Sequence, residues 1–158
     1  MIKKTVLLIF LICAIPDSFA QLKSAQFEQI DNLQIREKRN VIVFIHTYWC
    51  QYCKAMLAKT FKNQALENLI NKNFYFIDFN AEEQRNIAFN NTDFVFKPNG
   101  NSSGVHELAT ALGTINKQIS YPVLCVLNEK NEIIYQHNSF LNAKDLLEIL
   151  NQVMLLKN

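Results

Sequence analysis

The sequence predicts an α/β fold in which a central mixed sheet carries helices on both faces. Three apolar runs, 41–45, 74–79 and 123–127, are rich in β-branched or aromatic residues and alternate with segments of helical periodicity. The first run is apolar at every position, which is typical of a central strand covered on two sides. Strand–helix–strand order favours parallel pairing, and a short turn before the last strand favours antiparallel pairing.

The first half of the chain begins with a predicted helix over 24–39, where apolar residues recur at helical spacing. The strand 41–45 follows directly. The next helix is expected to open near Cys50, and a second helical segment over 64–72 leads to the strand 74–79.

The middle of the chain has weaker patterns. Residues 81–90 are predicted to be helical, and residues 91–104 are expected to form an irregular excursion with a turn at 98–100. A short helix over 105–112 is expected to end at Gly113. A long irregular segment of this kind either contacts a partner or decorates the fold.

The last third of the chain is predicted to form a β-hairpin and a C-terminal helix. Pro122 opens the strand 123–127, and a polar turn leads to the returning strand 132–137. Asn142 is expected to cap the final helix, with Asp145 three residues further on.

The N-terminus has the pattern of a secretory signal peptide. Lys3 and Lys4 precede an apolar run over 5–15, and small residues flank a cleavage position after Ala20. Residues 1–20 are therefore predicted to be removed on export. An uncleaved membrane anchor is the alternative, although the run is short for a span.

The remaining residues, 21–158, are long enough for one domain. The whole chain has 16 Lys and Arg against 14 Asp and Glu, a formal net charge of +2, so no strong basic field predicts nucleic-acid binding. Export predicts an oxidising compartment, in which paired thiols form disulfides. Cys50, Cys53 and Cys125 remain after cleavage, so at least one thiol has no partner within the chain.

Cys50 and Cys53 form a C-x-x-C pair where a strong strand turns into a helix. The first turn of a helix has unpaired N–H groups and a partial positive charge, which stabilise a thiolate and raise its reactivity. Cys53 lies one turn along the same face and can reach the first sulfur. The spacing therefore favours two-electron thiol–disulfide exchange.

Two other uses of the pair remain open. A zinc site needs further ligands, and the other candidates are Cys125, His46, His106 and His137, which form no second closely spaced pair. A purely structural disulfide is possible in an exported protein, but so short a loop stabilises the fold weakly. Lys follows the second cysteine where His would be needed for haem attachment.

The segment 49–54, Trp-Cys-Gln-Tyr-Cys-Lys, follows a hydrophobic strand, and Tyr121 and Pro122 open a later strand before a hairpin and a terminal helix. This arrangement resembles the thioredoxin superfamily, in particular exported bacterial thioredoxin-like proteins, over residues 25–156. The resemblance implies a thioredoxin-like fold for 21–158.

The resemblance also implies roles for individual residues. Cys50 would be the attacking thiol and Cys53 the resolving thiol. Pro122 would be a cis proline facing the two sulfurs, and the backbone and side chain of Tyr121 would border the groove for an extended substrate. Independently of the resemblance, Trp49 flanks the motif and is expected to belong to an apolar rim for a partner chain, although packing would also explain it.

Two features depart from thioredoxin itself. Thioredoxin has a buried Asp six residues before the first cysteine, and this chain has Phe44 there, so proton transfer from Cys53 must use water, Lys54 or another group. The dipeptide Gln51-Tyr52 replaces Gly-Pro, and this dipeptide tunes the redox potential in the superfamily. The direction of electron flow therefore stays open.

The sequence also gives expectations for the three residues His46, His106 and Cys125 and for Tyr48 beside the motif. His46, on the strand before the motif, either packs at the strand end or serves the thiols as a proton shuttle. His106 is expected to be exposed near a helix start. Cys125, in the middle of a strand, is expected to be a small buried hydrophobe. Tyr48 joins Trp49 in the expected apolar rim.

The expected function is that of a thiol–disulfide oxidoreductase acting on cysteines of other exported proteins, with reduction favoured. It would need no cofactor beyond its own dithiol, and as a reductase it would need a membrane-bound electron donor. One alternative is a copper(I) chaperone using Cys50, Cys53 and His46, because copper(I) prefers soft thiolates. Another is a non-catalytic binding domain that has kept the cysteines.

Overall fold

The computed structural model describes residues 21–100 and 103–155, and the predicted signal peptide, 1–20, lies outside them. Within these residues the strands are β1 (Asn40–His46), β2 (Phe74–Asn80), β3 (Ile87–Phe89), β4 (Thr92–Phe94), β5 (Phe96–Pro98), β6 (Gly104–His106), β7 (Val123–Leu127) and β8 (Ile133–His137). The α-helices are α1 (Ile30–Arg36), α2 (Gln51–Ala55), α3 (Gln64–Asn73), α4 (Glu107–Gly113) and α5 (Ala143–Leu155), and a π-helical segment, Met56–Thr60, continues α2.

The central sheet has four strands in the order β2-β1-β7-β8. β1 pairs in parallel with β2 and antiparallel with β7, and β8 adds an antiparallel edge. Apolar residues of α1 and α4 pack on one face, and those of α2, α3 and α5 pack on the other. The predicted mixed sheet with helices on both faces is confirmed.

Successive side chains of β1 point to opposite faces of the central sheet. Val43 and Ile45 lie in the cluster under α1 and α4, whereas Ile42 and Phe44 lie in the cluster that contains Cys50 and Cys53. All seven residues of β1 are buried, as expected for a central strand covered on both sides.

The N-terminal helix is shorter than predicted. Residues 24–39 contain a single 3-10 turn, Phe27–Gln29, followed by α1. Before the turn, the Ala25 N–H donates a hydrogen bond of 2.8 Å to the carbonyl of Phe76, so this segment runs along the edge of β2. Pairing with a sheet edge thus replaces the first helical turns.

The predicted helix over 81–90 is wrong. The Asn80 side-chain oxygen accepts the Glu82 N–H at 3.2 Å, and Glu83 Oε1 accepts the N–H groups of Gln84 and Arg85 at 2.9 and 3.1 Å. These local bonds occupy donors that a helix would need, which is how polar side chains compete with helices. The chain then enters β3.

The segment 91–104 is more regular than expected. β3 pairs antiparallel with β4, and β5 with β6, so the excursion contributes two small hairpins. Asn90 and Asn91 join β3 to β4 with φ of 51° and 58°, a left-handed conformation that Asn tolerates better than most residues. The predicted helix over 105–112 begins only at Glu107.

His106 was expected to be exposed and is fully buried. Its Nδ1 accepts the N–H of Leu108 at 3.2 Å and caps α4, and its Nε2 lies 3.2 Å from the carbonyl of Arg85. The ring also packs edge-on against Phe79, 5.5 Å between centroids. Burial, the largest influence, lowers the pKa of His106 and favours the neutral ring that this capping needs.

No helix of the described residues, 21–100 and 103–155, is long and apolar enough to cross a membrane.

Candidate active site

A disulfide joins Cys50 and Cys53 at the point where the chain leaves β1 and enters α2, with 5.3 Å between the two Cα atoms. Cys50 is the N-cap of α2, and its Sγ accepts a hydrogen bond of 3.1 Å from the Cys53 N–H. The Cys50 N–H in turn donates to the carbonyl of Thr47 at 3.3 Å. The backbone thus points a donor at the Cys50 sulfur, where negative charge would be stabilised.

The two cysteines differ in accessibility. Cys50 is 6% exposed, whereas Cys53 is 0% exposed and packs among Phe44, Met56 and Phe61 in the core. Of the pair, only Cys50 keeps surface that another protein could reach.

Aromatic side chains surround the disulfide. Trp49 packs edge-on against Tyr121 with 6.0 Å between ring centroids, and Tyr52 packs against Phe140 at 6.3 Å. Tyr48, Trp49 and Tyr52 are between 63% and 70% exposed, and Phe140 is 40% exposed. We call these five residues the aromatic rim. Exposed apolar surface of this extent marks a binding site more often than a free surface.

Tyr121 forms the inner part of the aromatic rim and precedes Pro122 through a cis peptide bond. Its hydroxyl is buried and has no hydrogen-bond partner among the described residues. Burial, followed by the negative charge of Glu82, raises the pKa of Tyr121 to about 12. Glu82 also accepts a hydrogen bond of 3.0 Å from Nε1 of Trp49.

The comparison of sequences gives a family but no individual relative. No curated protein matches the chain. Residues 26–154 match the thioredoxin-like domain family. The chain belongs to the thioredoxin-like family.

Solved structures share this thioredoxin-like fold. A thioredoxin from Thermus thermophilus has a TM-score of 0.60 and 18% identity, covering 85% of this chain and 88% of its own. A putative disulphide-isomerase from Bacteroides thetaiotaomicron has a TM-score of 0.56 and 22% identity, covering 82% and 88%. A DsbH oxidoreductase has a TM-score of 0.58 and 12% identity, covering 86% and 87%. At these identities the likeness shows the fold.

Phe44 stands six residues before Cys50, at the position where thioredoxin has a buried Asp. It is fully buried, lies in the same cluster as Cys53, and packs against Phe61 at 4.8 Å between ring centroids. The environment of Cys53 on this side is therefore apolar, which disfavours its thiolate.

His46 follows Phe44 on the same face of β1, because alternate residues of a strand share a face. It is buried, and its ring stacks on Phe44 at 5.6 Å and meets Tyr48 at 5.8 Å. Its Nε2 lies 2.9 Å from Oδ1 of Asp78 on the neighbouring strand β2. His46 thus packs at the strand end, which is one of the two roles predicted for it. It is also paired with a carboxylate.

Cys125 is a buried free thiol, as predicted. It lies in the cluster under α1 and α4, so the sheet separates it from the disulfide. Burial raises the pKa of its thiol to about 12, and it stays protonated at neutral pH. Within residues 21–100 and 103–155, no three His, Cys, Asp or Glu side chains come together as metal ligands would.

Sequence reasoning missed two residues of this site. Phe140 lies between the hairpin and the cap of α5, and an aromatic residue in a polar loop was the available signal. Glu82 lies in the stretch 81–90 that was predicted to be helical, but the helix does not form and its carboxylate accepts a hydrogen bond from Trp49. The strand-to-loop geometry that brings Glu82 there has no periodic signature.

Proposed function

We propose that this thioredoxin-like protein is a thiol–disulfide oxidoreductase in which Cys50 attacks and Cys53 resolves. The observation that carries the proposal is the Cys50–Cys53 disulfide at the N-cap of α2, with Cys50 as its only accessible end. A structural disulfide closing so short a loop would contribute little stability, whereas an accessible sulfur facing a helix N–H suits exchange.

The reaction follows from this arrangement. In the reduced protein, the Cys50 thiolate attacks a disulfide of the substrate, forms a mixed disulfide and releases one substrate thiolate. Cys53 then attacks Cys50, closes the internal disulfide and releases the second substrate thiolate. The dithiol gives up two electrons and the substrate disulfide takes them. The protein needs no further cofactor for this exchange.

The aromatic rim supports a protein substrate. Trp49, Tyr121 and Pro122 would contact the substrate chain beside its cysteine, and the large aromatic faces bury area at low conformational cost. We propose that the substrates are cysteine-containing exported proteins. The signal-peptide pattern that ends at Ala20 supports a periplasmic location, and regeneration as a reductase would come from a membrane-bound electron donor.

Insulin reduction in the presence of dithiothreitol tests this function. The protein should accelerate precipitation of the insulin B chain, and Cys50→Ser should abolish the acceleration. The direction is tested by the reduction potential of the Cys50–Cys53 couple. A potential near −270 mV supports a reductase, and one near −120 mV supports an oxidase. Tight binding of copper(I) without insulin reduction would contradict the proposal.

A further inference from the structure

We propose that His46, held by Asp78, accepts the proton of Cys53 when this thiol attacks the mixed disulfide. The inference rests on the proposed exchange reaction and assigns its second step to a particular base. In the reverse direction, the same His46 would return the proton to Cys53 as the internal disulfide opens.

Cys53 needs such an acceptor. It is 0% exposed and lies in an apolar cluster with Phe44, Met56 and Phe61. The thiolate, rather than the thiol, is the nucleophile in disulfide exchange. Burial among apolar groups disfavours the charged form, so a base close to Cys53 is required for a fast second step.

His46 lies on the correct side of the sheet. It shares a face of β1 with Phe44, whose ring it stacks on and which lies in the same cluster as Cys53. His46 also lines a pocket together with Lys54 and Leu57. Lys54 is the residue that follows Cys53 in α2. The pocket therefore extends from His46 to the helix that carries Cys53.

Asp78 orients the ring of His46 for this role. The Nε2 atom lies 2.9 Å from Oδ1 of Asp78, so in the neutral ring Nε2 carries the hydrogen and donates it to the carboxylate. The lone pair is then on Nδ1. A base whose ring is oriented by a third group is the arrangement by which nucleophiles are activated.

The pocket provides a route for the proton. It has a volume of about 280 Å³, which is enough for bridging waters. Thr47 lines it, is 1% exposed, and has a buried hydroxyl without a partner in the described part of the chain. Buried hydroxyls are usually satisfied, so this one is expected to hold a water. The carbonyl of Thr47 accepts the Cys50 N–H, so this residue, next to His46 in the chain, also adjoins the cysteine turn.

The step balances as follows. The Cys53 S–H bond breaks, and the proton passes to Nδ1 of His46, directly or through a water. The Cys53 sulfur forms a bond to the Cys50 sulfur, and the bond between Cys50 and the substrate sulfur breaks. The substrate leaves as a thiolate with the electron pair of that bond and later takes up the proton. No reductant beyond the dithiol and no oxidant beyond the substrate disulfide is used.

Stopped-flow reaction of the reduced protein with 5,5′-dithiobis(2-nitrobenzoate) separates the two steps. The first nitrothiobenzoate is released by Cys50, and the second by attack of Cys53, at a rate independent of reagent concentration. His46→Ala should slow the second phase about 100-fold, the low end of what a positioned base contributes, and change the first less than about twofold. Added imidazole should restore the second phase in His46→Ala but not in His46→Phe, where the ring fills the site.

Two further variants complete the test. Asp78→Asn keeps an acceptor for Nε2–H and should slow the second phase less than His46→Ala. This side chain is 40% exposed, so folding should tolerate the change. Glu83→Gln removes a carboxylate that lines the same pocket without a bond to His46, and both phases should keep their rates. An unchanged second phase in His46→Ala, or equal slowing of both phases without imidazole rescue, would overturn the inference. Absence of both phases in the unaltered protein would refute the exchange reaction itself.

Discussion

The indole N–H of Trp49 donates a hydrogen bond of 3.0 Å to the carboxylate of Glu82, on the loop that follows β2. The same carboxylate raises the pKa of Tyr121, whose ring packs against Trp49. One acidic side chain therefore acts on two residues of the aromatic rim that come from different parts of the chain. Its own backbone N–H is bound by the side chain of Asn80, which fixes the start of the loop.

Two substitutions of Glu82 should distinguish the effect of its hydrogen bond to Trp49 from the effect of its negative charge on Tyr121. Glu82→Gln keeps an acceptor for Trp49 but removes the charge, so the pKa of Tyr121 should fall below about 12 and stay above 10, because burial is the larger cause. Glu82→Ala should lower this pKa similarly and also free the indole. Because the freed indole belongs to the aromatic rim, Glu82→Ala should also lower kcat/KM for insulin, by no more than about fivefold, which corresponds to about 1 kcal/mol.

Ultraviolet titration of tyrosine and the emission of Trp49, the only tryptophan, provide the two measurements. Glu83→Gln is the matched control, because this neighbouring carboxylate bonds to Gln84 and Arg85 instead. A tyrosine titration curve that is the same in all three variants would contradict the coupling between Glu82 and Tyr121.

The two active-site thiols should react unequally. In the reduced protein Cys50 keeps accessible surface and faces the N–H of Cys53, so iodoacetamide should alkylate it first near neutral pH. Cys53→Ser should leave mixed disulfides with substrate proteins unresolved, and these should be visible on non-reducing gels. Peptide mapping after partial alkylation is the check, and equal modification of Cys50 and Cys53 would contradict the assignment.

Cys125 should matter for stability and not for exchange. It is fully buried on the other side of the sheet from the disulfide, so Cys125→Ala should keep insulin reduction near its original rate. At pH 7 the variant should lose about 1 kcal/mol in the free energy of unfolding. Loss of most activity would show that Cys125 takes part in the chemistry.

The stability difference at Cys125 should depend on pH in a defined direction. Burial raises the pKa of this thiol from 9.0 to about 12 in the folded protein. The contribution of the thiol is complete below pH 9 and declines as pH rises towards 12, because the unfolded chain ionises first. At pH 10 the loss is about 1.4 kcal/mol, close to the loss of about 1 kcal/mol caused by the substitution, so the oxidised unaltered protein and Cys125→Ala should unfold at similar urea concentrations.

The periodic parts of the fold could be predicted from the sequence, because burial imposes a pattern on them. The run before Cys50 is apolar at every position and forms a strand covered on both sides. Asn142 caps α5 by accepting the N–H of Asp145 at 3.0 Å, and its own amide donates to that carboxylate at 2.8 Å. The C-x-x-C pair could also be identified from the sequence, because its chemistry depends on the spacing of residues that are close in the chain.

The features that could not be predicted from the sequence depend on contacts between segments that are distant in the chain. His106 looked like an exposed residue at a helix start, but the two small hairpins bury it against Phe79 and the carbonyl of Arg85. The partnership of His46 with Asp78 comes from the register of β1 and β2, which a single sequence does not reveal. Tertiary pairing rather than local propensity therefore decides these side chains.

A strained turn before Tyr121 offers a gain in stability. Asn116 and Lys117 have φ of 52° and 65°, and Ile115 and Gln118 exchange backbone hydrogen bonds of 2.8 and 3.0 Å across them. Two left-handed residues between paired positions form a tight hairpin turn, for which Asn-Gly is the preferred sequence.

Lys117→Gly removes a penalty of about 1–2 kcal/mol and costs about 0.4–1 kcal/mol in unfolded-state entropy. The variant should therefore gain about 0.5–1 kcal/mol in the free energy of unfolding, whereas Lys117→Val should lose stability because a β-branched residue fits this region poorly. Urea denaturation of both variants gives the comparison, and insulin reduction should not change, because Lys117 is exposed and belongs neither to the aromatic rim nor to the cysteine pair. A lower midpoint for Lys117→Gly would show that the turn carries no such strain.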